Sequence, residues 1–276
     1  MILGYNTNGF AHHRLEDAVD NIAELGYGGV ALTPDVNHFY PSDANRIGQL
    51  GLLRNRLRRL GIRTAIESGS RFLLDPRRKH QPTLISPTDD ERKRRYEFLH
   101  QDCLWLAAEL KSDCISFWSG SPTDDVSHAI LMDRLVEACK RLADRGAEQN
   151  IRLAFEPEPG MFIDTMEKFE ELHTKVNHPS FGLTLDIGHL VCLGELPISK
   201  HIMQWKSWLW NVHIEDMKQG VHDHLMFGEG NVDFADAFAG LKAISYNGMV
   251  SVELSRHSYD AVNAARKSME FLRQYV

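Results

Sequence analysis

The chain has 276 residues, 43% of them hydrophobic and 25% charged, a composition that suits either one large α/β domain or two small ones. A formal net charge of −7 argues against general nucleic-acid binding, because neutralising phosphates needs a basic surface. No apolar run approaches the ~20 residues of a membrane-spanning helix, and the start MILGYNTNGF lacks the basic-then-apolar pattern of a signal peptide.

The four cysteines, Cys103, Cys114, Cys139 and Cys192, form no C-x-x-C pair and read as reduced, buried thiols, so a soluble cytoplasmic protein is expected. Short apolar runs then alternate with helical patterns along the chain. Ile2–Tyr5 predicts a strand and Leu15–Leu25 a helix, with apolar residues recurring at Ala18, Val19, Ile22 and Leu25. Gly29–Leu32 is the second predicted strand, followed by a basic amphipathic helix that Gly61 stops. Ile62–Ile66 is the third, followed by a long polar loop from Ser68 to Pro87 and a helix over Asp89–Leu110. Cys114–Trp118, Ile151–Phe155, Phe181–Leu185, Trp210–Ile214 and Gly248–Val252 complete eight strands. The helices expected between and after them cover Met132–Gln149, Thr165–Val176, Ile198–Leu209, Phe234–Ile244 and Ser258–Tyr275.

Strands alternating with helices imply parallel pairing through right-handed crossovers. An open doubly wound sheet usually has fewer strands, and no G-x-G-x-x-G follows the first strand as a dinucleotide site would require. Eight units without a low-complexity linker predict a single (β/α)₈ barrel spanning residues 1–276.

The active site of such a barrel lies at the C-terminal strand ends. Here the last four strands each finish an apolar run with a residue able to ligate a metal: Glu156, Asp186, His213 and Glu253. One acidic residue after a strand is most often a surface charge, but carboxylates converging on one mouth repel one another unless a cation neutralises them. A mixed carboxylate and imidazole set suits one divalent ion, Mn²⁺, Co²⁺, Zn²⁺ or Mg²⁺. Glu158 competes with Glu156, which is preferred because it directly ends the apolar run.

The phrases LAFEPEPG, LTLDIGH, VHIEDM, LMFGEGNVDF and VSVEL, in that order, resemble the sugar phosphate isomerase/epimerase superfamily of xylose-isomerase-like barrels. Ketose 3-epimerases, inosose dehydratases and endonuclease IV are members. The motifs cover Ile151 to the C-terminus, and topology alone supports the resemblance before that. The resemblance implies metal ligands at Glu156, Asp186, His213 and Glu253, acid/base roles for Glu156 and Glu253, and substrate contact or site orientation by His189. The implied chemistry removes a proton beside a metal-chelated carbonyl, stabilises the enediolate, and returns the proton from the other face. Return to the same carbon is epimerisation, return to its neighbour is isomerisation, and loss of a β-hydroxyl is dehydration.

Further residues are expected around this centre. Glu67 ends the third strand and is a candidate for the inner mouth. The segment after it carries Arg71, Arg77, Arg78, Lys79 and His80, cations able to hold a phosphate or carboxylate on a substrate, as is Arg256 beyond Glu253. Trp118, Phe10 and Phe39 could wall a sugar ring or belong to the core. His222 and His224 read as part of a polar loop, yet their spacing matches the D-x-H pair that endonuclease members give to a multi-zinc site. Those members also use histidines after the third and fourth strands, where this chain has Glu67-Ser68-Gly69 and Trp118-Ser119-Gly120. The leading expectation is therefore a metal-dependent isomerase or epimerase of a sugar, sugar phosphate or polyol. A dehydratase, a hydrolase using His222 and His224, and a non-catalytic ligand-binding barrel are the alternatives. A homo-oligomeric assembly is left open.

Overall fold

The short apolar runs become strands because both their faces are covered, one by the barrel interior and the other by helices. A computed structural model describes the whole chain, Met1–Val276. Its strands are β1 (Ile2–Asn6), β2 (Gly29–Leu32), β3 (Arg63–Glu67), β4 (Cys114–Phe117), β5 (Arg152–Phe155), β6 (Phe181–Asp186), β7 (Leu209–Ile214), β8 (Asp216–Lys218), β9 (Val221–Leu225) and β10 (Met249–Val252). Eight of them close in the order β1-β10-β7-β6-β5-β4-β3-β2, while β8 and β9 form a separate antiparallel hairpin. This is the expected (β/α)₈ barrel, with one hairpin added above β7.

Two cores follow from the period-2 alternation of each strand. The outward residues, among them Val30, Ile66, Phe117, Phe155, Leu183 and Val250, join a cluster of 65 buried residues beneath the helices. The inward residues at the lower end of the barrel are small: Ala31, Ala65, Cys114 and Ala154 pack with Met249, and Trp210 lies against them. Above them sits a polar layer in which the Thr184 hydroxyl donates to Ser116 Oγ at 2.9 Å. The next inward position on each strand falls at the mouth.

Helix ends obey local chemistry. Gly61 takes a left-handed conformation (φ 67°) and ends the helix Arg46–Leu60, as its sequence position predicts. Ser127 and Thr165 cap the helices His128–Gln149 and Met166–Val176 through their hydroxyls.

Three expectations are corrected. The helix expected over Ile198–Leu209 stops at Gln204, because Trp205 packs against Phe169 with ring centroids 4.8 Å apart and the chain turns to deliver Leu209 into β7. An unexpected helix, Ile187–Leu193, begins directly at Asp186, whose side chain accepts the His189 amide at 2.9 Å. The polar loop expected around His222 and His224 is the β8–β9 hairpin, reversed at Gly220 (φ 74°). No helix is long and apolar enough to cross a membrane.

Candidate functional site

Four strand ends deliver the predicted set to one place. Asp186 and His213 are register partners on β6 and β7. Glu156 follows β5 and continues its ladder, its amide donating to the Phe117 carbonyl at 2.8 Å. Glu253 does the same after β10, donating to Ile214 at 3.2 Å. Parallel strands in register place equivalent inward side chains side by side, so the four groups converge without any help from loops. One donor atom from each of Glu156, Asp186, His213 and Glu253 lies within 4.8 Å of all the others.

His213 is the hub. Its Nδ1 stands 2.9 Å from Glu156 Oε1 and 3.0 Å from Glu253 Oε2, and its Nε2 is 3.0 Å from Glu67 Oε1. Burial alone would lower its pKa, but the charges of Glu67, Glu156 and Glu253 outweigh burial and hold it well above the ordinary histidine range. Burial pushes the Glu156 carboxyl up to about 7 despite the pull of His213. Desolvation would raise Glu253 as well, yet His213, His224 and a 2.8 Å hydrogen bond from Asn8 Nδ2 hold it well below the usual carboxylate range. Asp186 is likewise lowered, since His189, His224 and His213 prevail over burial, and its Oδ2 is buried with no hydrogen-bond partner.

These donors fit a divalent cation. Three carboxylates and one imidazole are hard and borderline ligands of the kind such ions take, and the partnerless Asp186 oxygen lies among them. They open into a pocket of about 500 Å³ lined by nineteen residues, of which only Trp118 is apolar. Such a lining suits a molecule rich in hydroxyl groups. Glu156, His213 and Glu253 face this pocket, whereas Asp186 is sealed behind it.

The remaining predicted residues fall out as follows. His189 lines the pocket, its Nδ1 donating to the Pro157 carbonyl at 3.1 Å, which leaves Nε2 as the lone-pair nitrogen. His222 and His224 come down from the hairpin, and His222 Nε2 is 3.2 Å from His189 Nε2. Arg71 lines the rim and donates to the Ser255 carbonyl at 3.1 Å. Arg256 also lies at the rim, but its side chain is 62% exposed and paired with Asp223 at 2.5 Å. Glu67 lies deep, only 5% exposed, against His213. Of the three aromatics only Trp118 reaches the pocket, held by the buried Arg95 guanidinium 4.5 Å from its ring; Phe10 and Phe39 belong to the core. Glu158 lines the wall, its carboxyl raised by burial and by Glu156 and Glu253, but it stands outside the four-donor group.

Sequence reasoning missed three residues. Asn8 steers Glu253. Asn211 donates to Glu67 Oε1 at 3.1 Å. Glu215 is fully buried with both oxygens unpartnered, 3.7 Å from His224 Nδ1. Asn211 and His213 alternate along β7 and Glu215 follows its end at the same spacing, which was the available signal for Asn211 and Glu215.

A sequence profile described as xylose isomerase-like TIM barrel matches residues 19–275. The chain belongs to that family. Among its relatives, an inosose dehydratase of Lacticaseibacillus casei is 24% identical over 260 residues, covering 86% of this chain and 81% of that protein. An uncharacterised protein of Methanocaldococcus jannaschii is 26% identical over 182 residues, covering 64% of this chain and 60% of its own length. Among xylose isomerase-like structures, the IolI protein with a bound zinc atom superposes with a TM-score of 0.78 at 17% identity, covering 100% of this chain and 98% of that one. The D-allulose 3-epimerase of Methylomonas sp. in complex with D-allulose gives 0.78 at 20% identity, with 100% and 97% covered. The named family relatives are enzymes, and the barrel is the one they share.

Proposed function

We propose that this xylose isomerase-like chain is a metal-dependent epimerase or isomerase of a sugar or related hydroxy-carbonyl compound. The observation that carries the reading is the pairing of Glu156 and Glu253, two carboxylates that both lie within 3.0 Å of His213 Nδ1 and whose environments push their pKa values in opposite directions. Paired titratable groups pushed apart in this way are the mark of acid/base division of labour. Glu253, held ionised by His213 and Asn8, accepts the proton from the carbon beside the carbonyl. Glu156, raised to about 7, is poised to hold and return a proton near neutral pH. A divalent ion held by Glu156, Asp186, His213 and Glu253 would withdraw charge from the carbonyl and its neighbouring hydroxyl. His189 and Trp118 line the pocket that orients the sugar, and Arg71 meets its outer end, where an anionic group would find a cation. The epimerase and inosose dehydratase relatives support the substrate class, since both reactions begin by removing a proton next to a carbonyl.

The test is solvent exchange. With Mn²⁺ in D₂O, a panel of D-allulose, D-tagatose, L-ribulose and inososes should yield at least one compound that gains deuterium beside its carbonyl. Glu253→Gln should abolish that gain; exchange retained in the variant removes Glu253 from the role. Loss of water instead of return of the proton would assign the dehydratase branch.

One observation favours a second reading, hydrolysis with more than one cation. The Nε2 atoms of His189 and His222 are 3.2 Å apart with His224 within reach, a separation close to that of two ligands on one tetrahedral ion. Metal analysis decides between the readings, because one ion per chain supports proton transfer and two or three support hydrolysis.

A further inference from the structure

Glu67 is among the residues that line the pocket, yet it is nearly buried. Its carboxylate is 5% exposed, and its Oε1 is committed to two partners, His213 Nε2 at 3.0 Å and Asn211 Nδ2 at 3.1 Å. Both partners sit on β7, almost directly across the barrel interior from β3, so the contact spans the closed sheet. The other side of the imidazole faces Glu156 and Glu253.

We infer that Glu67 is a positioning residue for the cation site: it accepts the Nε2 proton of His213 and so reserves Nδ1 as the nitrogen that faces the ion. The inference rests on the reading that Glu156, Asp186, His213 and Glu253 hold a cation. An imidazole has two nitrogens, and the one that ligates is set by what the other donates to. A carboxylate in that outer position fixes the ring plane and makes the ligating nitrogen more basic. Asn211, one inward position below His213, donates to the same Glu67 oxygen and keeps the carboxylate aimed at the ring. Burial of a fourth carboxylate so close to three others is costly, and Glu67 is tolerated because both of its neighbours donate to it.

The experiment needs no substrate. Mn²⁺ affinity is measured by calorimetry for the parent chain, Glu67→Gln and Glu67→Ala. The Gln variant keeps an acceptor oxygen without the charge and should bind ~10-fold more weakly; the Ala variant, with no acceptor, should bind ~100-fold more weakly. If turnover is measurable, a positioning role predicts that KM at saturating metal stays near the parent value in Glu67→Gln, because the charge would act through His213 rather than on substrate. Unchanged metal affinity with a raised KM would overturn the inference and return Glu67 to substrate binding. Ring-nitrogen NMR on the zinc-loaded parent gives an answer even if a variant fails to fold: metal on Nδ1 with a proton on Nε2 supports the inference, and metal on Nε2 refutes it. A parent chain that binds no cation would overturn the proposed function as well, whereas parent binding with unaffected Glu67 variants overturns this inference alone.

Discussion

Cation binding at this site must compete with protons. Before an ion can use His213 Nδ1, the imidazolium held by Glu67, Glu156 and Glu253 has to lose its Nδ1 proton. Because that group sits well above the ordinary histidine range, the ion has to displace a proton from it. Glu156 adds to this. With its carboxyl at about 7, it is protonated to roughly 90% at pH 6 and roughly 10% at pH 8. Both groups are raised, so affinity must fall as pH falls. From pH 8 to pH 6 the Glu156 proton alone weakens binding about tenfold, or about 1.4 kcal/mol, and the His213 proton acts in the same direction. Mn²⁺ titrations in buffers of different ionisation heat would measure the proton count directly. It should rise by nearly one between pH 8 and pH 6 as Glu156 becomes protonated. A count near zero at both pH values, or an affinity unchanged across the window, would refute the picture of a protonated His213 bridging carboxylates.

Two further predictions concern the scaffold. Asp216 accepts four backbone amides, from Met217, Gly228, Gly230 and Val232, and so ties the segment after the hairpin to the hairpin's first strand. Asp216→Ala should cost about 2–4 kcal/mol locally and speed proteolytic cleavage between residues 219 and 231 while leaving the barrel's circular dichroism intact; an unchanged cleavage rate would show that the loop does not depend on those bonds. Phe169 is fully buried between Phe155, Phe181 and Trp205, so Phe169→Ala should lower unfolding free energy by about 3–5 kcal/mol in urea with little change in slope. A loss below 1 kcal/mol would mean that the neighbouring rings close the gap.

The sequence was most legible where one strand decides the outcome. Glu156, Asp186, His213 and Glu253 each end an apolar run, and strand registration carries them to the mouth without further information. It was less legible where the decisive partner lies across the barrel. Nothing near Glu67 in the chain points to His213, 146 residues away, so its place beneath the ring had to come from closure of the sheet. The stretch Val221–Leu225 reads as polar loop because neither face of it is fully buried, and its pairing with Asp216–Lys218 supplies what hydrophobic patterning does not. The helix Ile187–Leu193 is too short for periodicity to declare, and its cap, Asp186, also stands in the four-donor group, so one residue serves two roles.

The β8–β9 hairpin carries His222 and His224 to the pocket, yet it shares no ladder with the barrel strands. Its length can therefore change without shifting the register of any of the eight strands that place the four-donor group. Descendants of such a chain could trade one set of pocket-facing side chains for another in a single insertion or deletion, with Glu156 and Glu253 left where they are. The barrel is the conservative part of the inheritance, and the hairpin is where a new substrate would first be tried.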